Sequence, residues 1–152
     1  MTIDYIIIAL PRSGTAWVAN LLSSDGHVCR HDPLGQLIDP AKVIEGEGGC
    51  ADTGMGYYPE LVNKVRAKVV IQRNRVDCMR GLKAIGVKLP GVAMETLEAR
   101  ISQVDADLIV KFDDLFSFDS SNAIHKLCLG RELSHERHAF LQEMNVQTRA
   151  RP

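Results

Sequence analysis

The stretch Ile6-Ile7-Ile8-Ala9-Leu10-Pro11-Arg12-Ser13-Gly14-Thr15-Ala16-Trp17 decides the fold. A short apolar run stops at a proline, crosses a turn of small residues and enters a helical pattern. The run reads as a strand buried on both faces, as in parallel sheets whose helices cover each side. A strand that feeds a tight loop and then a helix aims backbone N–H groups and the positive helix end at one point, which suits a phosphate.

The same alternation continues outward from this junction. Ile3 to Leu10 is the first strand, and Ala16 to Ser24 carries Val18, Leu21 and Leu22 at helical spacing before Asp25-Gly26 ends it. His27 to His31 and Gly49 to Thr53 are short strand candidates. Residues 32 to 49 read as loop with one helical turn around Leu37 to Ile44. Pro59 to Val65 fits a brief helix with proline in its first turn. Ala67 to Gln72 is a buried strand, followed by a helix from Arg75 to Ile85 with Asp77 in its first turn. Met94, Leu97, Ile101 and Val104 mark the next helical stripe, and Asp107 to Phe112 the next strand. Ser121 to Leu129 and Ser134 to Met144 read as closing helices separated by Gly130. Strands alternating with helices imply a single α/β domain over 1–152. We expect a three-layer sandwich on a mainly parallel sheet of about five strands. In such folds ligands bind beyond the carboxyl ends of the strands, where the first loop lies.

Bulk properties restrict the function classes. The chain has 152 residues, enough for one core, with 45% hydrophobic and 24% charged residues and a formal net charge of −1. That balance argues against a general nucleic-acid binder. Cys29, Cys50, Cys78 and Cys128 show no metal-type or redox-type close spacing, and they read as buried thiols of a reducing, cytoplasmic setting. The apolar start is too short for a membrane span or a signal segment, so no membrane partner is expected.

The loop departs from the nucleotide loop of ATPases and kinases, which ends in Gly-Lys-Ser/Thr. Gly14 is followed by Thr15 and Ala16, with no lysine. Pro-Arg-Ser-Gly-Thr-x-Trp after an apolar strand instead resembles the phosphosulfate loop of the sulfotransferase family, whose pattern is close to Pro-Lys/Arg-Ser-Gly-Thr-Thr-Trp. Arg12 stands at the basic position, Ser13, Gly14 and Thr15 match the core, Ala16 departs from the second threonine, and Trp17 matches the aromatic. A second segment, Lys68 to Asp77, resembles the family's 3′-phosphate region. Arg73, Asn74 and Asp77 match it, Arg75 replaces a proline, and Gly81 stands where a serine is usual. Arg80 is a substitute charge there if its side chain turns inward. The spacing between the two motifs, about 60 residues, also fits the family. A third segment, Leu108 to Leu115, resembles the strand and acidic turn that follow.

The resemblance implies a P-loop-like fold and a metal-independent transfer of a sulfuryl group. The donor is 3′-phosphoadenosine 5′-phosphosulfate and the acceptor an unidentified hydroxyl or amine. It implies that Arg12 stabilises the departing oxygens, that Ser13 to Trp17 contact the donor, and that Arg73 with Arg80 and Gly81 meets the 3′-phosphate. A hydroxyl acceptor also wants a general base. His31, Asp32 and Asp52 are the candidates, each also readable as an ordinary loop residue. His125, His135 and His138 read as surface histidines. Arg149 and Arg151 are within reach of a phosphate in principle, though chain ends are commonly poorly ordered. No late Gly-rich, Lys-bearing closing motif follows. Two further readings stay open: a non-catalytic nucleotide-binding module of the same fold, and a P-loop small-molecule kinase. A homodimer that completes an open site is also compatible with the short chain.

Overall fold

The computed structural model describes residues 1–24 and 26–144. The expectations that fall on Asp25, Arg149 and Arg151 lie outside them.

Five strands form one parallel sheet in the order β2-β3-β1-β4-β5. They are β1 (Tyr5–Ala9), β2 (Cys29–His31), β3 (Gly49–Ala51), β4 (Ala67–Gln72) and β5 (Leu108–Lys111). β1 lies at the centre, with Ile7 beside Ala51 of β3 and Val69 of β4. All five of its residues are buried, as the uninterrupted apolar run requires. Its side chains alternate between two cores. Tyr5, Ile7 and Ala9 join the cluster built with Trp17, Val18, Leu21 and Ile124, while Ile6 and Ile8 join the one containing Val43, Met55 and Val62.

Helices therefore cover both faces. On the first lie α1 (Thr15–Leu22), α7 (Phe118–Leu129) and α8 (His135–Met144). On the second lie the short turns α2 (Leu34–Leu37), α3 (Pro40–Val43) and α4 (Pro59–Val62), then α5 (Arg75–Ala84) and α6 (Gly91–Ile101). The three layers match the expectation, and the sheet is parallel throughout.

Several boundaries move for local reasons. The segment after β2 holds two helical turns rather than one, because Asp39 caps α3 by accepting from Ala41 N at 3.0 Å and Pro40 starts a new turn. α7 begins at Phe118, three residues early, because the Ser117 side chain accepts from Ser120 N. α6 ends at Ile101, so Val104 packs from the following turn.

The chain leaves β1 toward β2 on one side of the sheet and leaves β4 toward β5 on the other. A crevice therefore opens beyond the carboxyl ends of β1 and β4, the general ligand position of open α/β sheets. Both arginine-bearing segments end there.

Candidate functional site

The loop between β1 and α1 is shaped by two left-handed residues. Arg12 has φ 62° and Gly14 φ 84°. Glycine adopts that region freely, whereas for arginine it costs on the order of 1 kcal/mol. Gly14 is needed a second time, because an added Cβ would stand 2.4 Å from Leu115 Cδ2. Leu115 and the neighbouring Phe112 come from the segment after β5, so the third motif closes over the first. No side chain caps α1. The first-turn N–H groups of any helix lack intrahelical acceptors, and here α1 starts directly beyond the carboxyl end of β1, a position that suits an anion.

Arg73, at the end of β4, reaches that loop. Its guanidinium donates to the Arg12 carbonyl and lies over the Phe112 ring, 3.9 Å from the centroid. The planar fork holds the bend and the β5 turn together while other N–H donors remain on the same group. Beneath the loop, buried Ser13 Oγ and Cys78 Sγ are 3.4 Å apart, linking it to α5. Burial raises the Cys78 thiol, with only partial relief from Ser13 and Arg73.

The candidate bases fall on the opposite flank. His31 Nε2 lies 3.1 Å from Thr15 Oγ1 and 3.2 Å from Asp32 Oδ2. Without a proton Nε2 accepts from the Thr15 hydroxyl, and with one it donates to Asp32. Asp32 has φ 47°, a second strained backbone position at the crevice, and its Oδ1 accepts from Thr53 N at 3.2 Å.

Asp52 is 1% exposed, and its two oxygens accept from Leu34 N at 2.8 Å and Met55 N at 2.9 Å. Burial pushes its carboxyl above the ordinary carboxylate range, offset in part by those backbone bonds. With both oxygens engaged, Asp52 sets the turns around Asp32 and Thr53 rather than facing the crevice.

The remaining sequence candidates divide. Gly81 lies beside the loop, against the Arg12 stem, an added Cβ standing 3.2 Å from Arg12 Cβ. Arg80 does not turn inward. Its side chain is 76% exposed and pairs with Asp77 at 3.2 Å, because one helical step carries it away from the loop. Ala16 is half-buried in the first turn. Trp17 faces the core, 2% exposed, edge-on to Phe116 and His138. The surface reading of the late histidines holds for His135 alone. His125 and His138 are buried, and their rings bond the carbonyls of Arg131 and Phe116. All four cysteines are buried, as expected.

A cleft of about 640 Å³ runs from Arg73 and Asn74 along β4 and β5, walled by Leu10, Val70, Ile109 and Phe112. Sequence reasoning missed it, along with the roles of Phe112 and Leu115. The only sequence signal was the apolar-acidic pattern after β5. Among the described residues no group of three or more His, Cys, Asp or Glu is placed to hold a metal. No described helix is long and apolar enough to cross a membrane.

No family model matches the chain, and neither a curated protein nor a solved structure matches it.

Proposed function

We propose that the protein is a small sulfotransferase with a P-loop-like fold, using 3′-phosphoadenosine 5′-phosphosulfate and a hydroxyl or amine acceptor. The observation that carries this reading is the bond from the Arg73 guanidinium to the Arg12 carbonyl. Two motifs 61 positions apart in sequence meet at one crevice, which supports a ligand that carries two phosphates.

In this reading the first-turn N–H groups of α1 hold the 5′-phosphate, and Arg73 uses its remaining donors on the 3′-phosphate. The purine takes the cleft along β4 and β5, since Trp17 is inside the core. The acceptor oxygen attacks sulfur as the sulfur–oxygen bond to the departing phosphate breaks. The acceptor proton passes to His31 Nε2, which then donates to Asp32. Arg12 stabilises charge on the departing oxygens and donates no proton, because guanidinium stays protonated. The protein is proposed to be cytoplasmic.

One observation favours a second reading, a nucleotide-binding module without turnover. The outward Arg80 and the glycine at 81 leave that corner of α5 without a side-chain donor for the 3′-phosphate.

The test is a titration with 3′-phosphoadenosine 5′-phosphate and with ATP, each with and without magnesium. Metal-independent binding of the bisphosphate is the expected result. Preference for ATP with magnesium overturns both readings in favour of a kinase. Sulfuryl transfer that disappears in Arg12→Ala, with bisphosphate affinity retained, separates the enzyme from the module.

A further inference from the structure

Helix α5 has two differently used faces. Gly81, Cys78 and Leu82 point to the loop and the core. The opposite face turns Val76, Met79, Arg80 and Lys83 toward the segment Gly86–Leu89, and a groove of about 510 Å³ lies between them. Its floor is apolar, built from Met79, Leu82 and Leu89, with Val76 and Val87 on the walls, 62% and 45% exposed. Four of the eleven large apolar side chains exposed among the described residues fall between positions 76 and 92.

The rim is cationic. Arg80, Lys83 and Lys88 line the groove, and the stretch 76–89 holds these three cations against Asp77 alone, in a chain of net charge −1. Asp77 is spent on Arg80. Among the described residues no carboxylate lies within ion-pair distance of Lys83 or Lys88. A concave apolar floor of this size under unpaired ammonium groups matches the general pattern of a small-molecule site, in which a few polar groups fix the orientation of an apolar body.

We propose that this groove binds an amphiphilic anion: an aliphatic body on Met79, Leu82 and Val87, with a carboxylate, sulfate or phosphate head between Lys83 and Lys88. Aliphatic contact supplies most of the affinity, and the two lysines select the sign of the head. The groove faces away from the Arg12 loop, so this site stands independently of the sulfotransferase reading.

The experiment titrates the full chain with decanoate, decanol and decyltrimethylammonium, each kept below self-association, following the methyl resonances of Met79 and Val87. Decanoate is expected to bind in a 1:1 ratio and to shift both methyls. Decanol should bind more weakly and the cationic amphiphile not at all. The double variant K83E/K88E, on exposed positions, should weaken decanoate about tenfold and admit decyltrimethylammonium. Val87→Asn removes the apolar wall without changing the charge of the rim and should also weaken decanoate. Equal binding of the two charged amphiphiles overturns the proposal, as does decanoate binding that ignores both variants. Binding to vesicles containing phosphatidylserine without binding of monomeric decanoate also overturns it, assigning the patch to a membrane surface instead.

Discussion

The aliphatic stem of Arg12 lies against the backbone of Gly81, where an added Cβ would stand 3.2 Å from Arg12 Cβ and 3.3 Å from Cγ. The absence of a side chain on α5 thus makes room for the basic residue of the loop. A glycine inside a helix costs roughly 0.5–1 kcal/mol relative to alanine. Gly81→Ala recovers that term and loses a similar amount by crowding Arg12. Its melting temperature should therefore stay within a few degrees of the parent, while in the proposed reading turnover falls about tenfold because Arg12 shifts. Unchanged turnover in a sulfuryl-transfer assay would show that the loop does not depend on this contact.

Arg12 is held at φ 62°, where a side chain is strained and glycine is not. Arg12→Gly should therefore be the more stable of the two truncations, by roughly 0.5–1 kcal/mol over Arg12→Ala, despite glycine's greater freedom in the unfolded chain. Urea denaturation of the pair measures the difference. In the proposed reading both variants lose turnover alike, because both lack the guanidinium. A more stable alanine variant would mean that the loop relaxes out of the left-handed region once the arginine is removed.

Much of this fold was legible because its strands are defined by composition. Ile6 to Ala9 and Ala67 to Gln72 admit no amphipathic helix, and the parallel sheet follows from what lies between them. The loop glycine and the two arginines were legible as a motif. What sequence could not supply was direction. Arg80 and Gly81 are neighbours in sequence, yet one helical step turns one to solvent and the other to Arg12. His138 reads as a surface histidine, but the rings of Trp17 and Phe118 stand edge-on to it, and the Phe116 carbonyl bonds its ring. Phe112 and Leu115 reach the loop only because β5 pairs beside β4, a contact between residues about a hundred positions from Gly14.

Asp52 should act on the His31 flank through the backbone. Asp52→Ala leaves Leu34 N and Met55 N without acceptors, a loss of at least about 2 kcal/mol at an unsatisfied-donor cost of 1–3 kcal/mol each. The pH dependence has a definite sign. Burial holds this carboxyl above its ordinary value, so the stability it contributes is fully present below the ordinary carboxylate range. It is lost as pH rises through the raised value. The gap between the parent and Asp52→Ala should therefore narrow from acid toward neutral pH in denaturation curves. A gap that widens over this interval would assign dominance to the backbone hydrogen bonds instead.

The thiols give a second pH test. Burial pushes Cys29 up to about 12, against smaller opposing effects from Tyr5 and Arg30. Burial also raises Cys50 and Cys128. In the native protein at mildly alkaline pH a disulfide reagent should react slowly with these three thiols, and all four cysteines should titrate once the chain is unfolded in denaturant. Since the folded value of Cys29 lies above the unfolded one, its stability contribution is complete below the ordinary thiol range. That contribution disappears as pH climbs toward 12. Cys29→Ala should accordingly lose less stability across this alkaline interval than the parent does. Parallel curves would show that Cys29 is not what titrates on alkaline unfolding.

Arg73 divides its donors between the Arg12 carbonyl and, in the proposed reading, a 3′-phosphate, while its plane rests on Phe112. Lysine keeps the charge but offers neither the fork nor the flat face. Arg73→Lys should therefore behave much like Arg73→Ala. Each should weaken 3′-phosphoadenosine 5′-phosphate about tenfold or more, at roughly 1.5–3 kcal/mol for a hydrogen bond to a charged group. Adenosine 5′-phosphate should lose far less, and only what the Arg12 carbonyl contact contributes to loop order. Calorimetric titration of both nucleotides against both variants reads this directly. If lysine restores full affinity, the site needs only a positive charge near β4. If both nucleotides weaken equally, Arg73 serves the bend alone and the 3′-phosphate is read elsewhere.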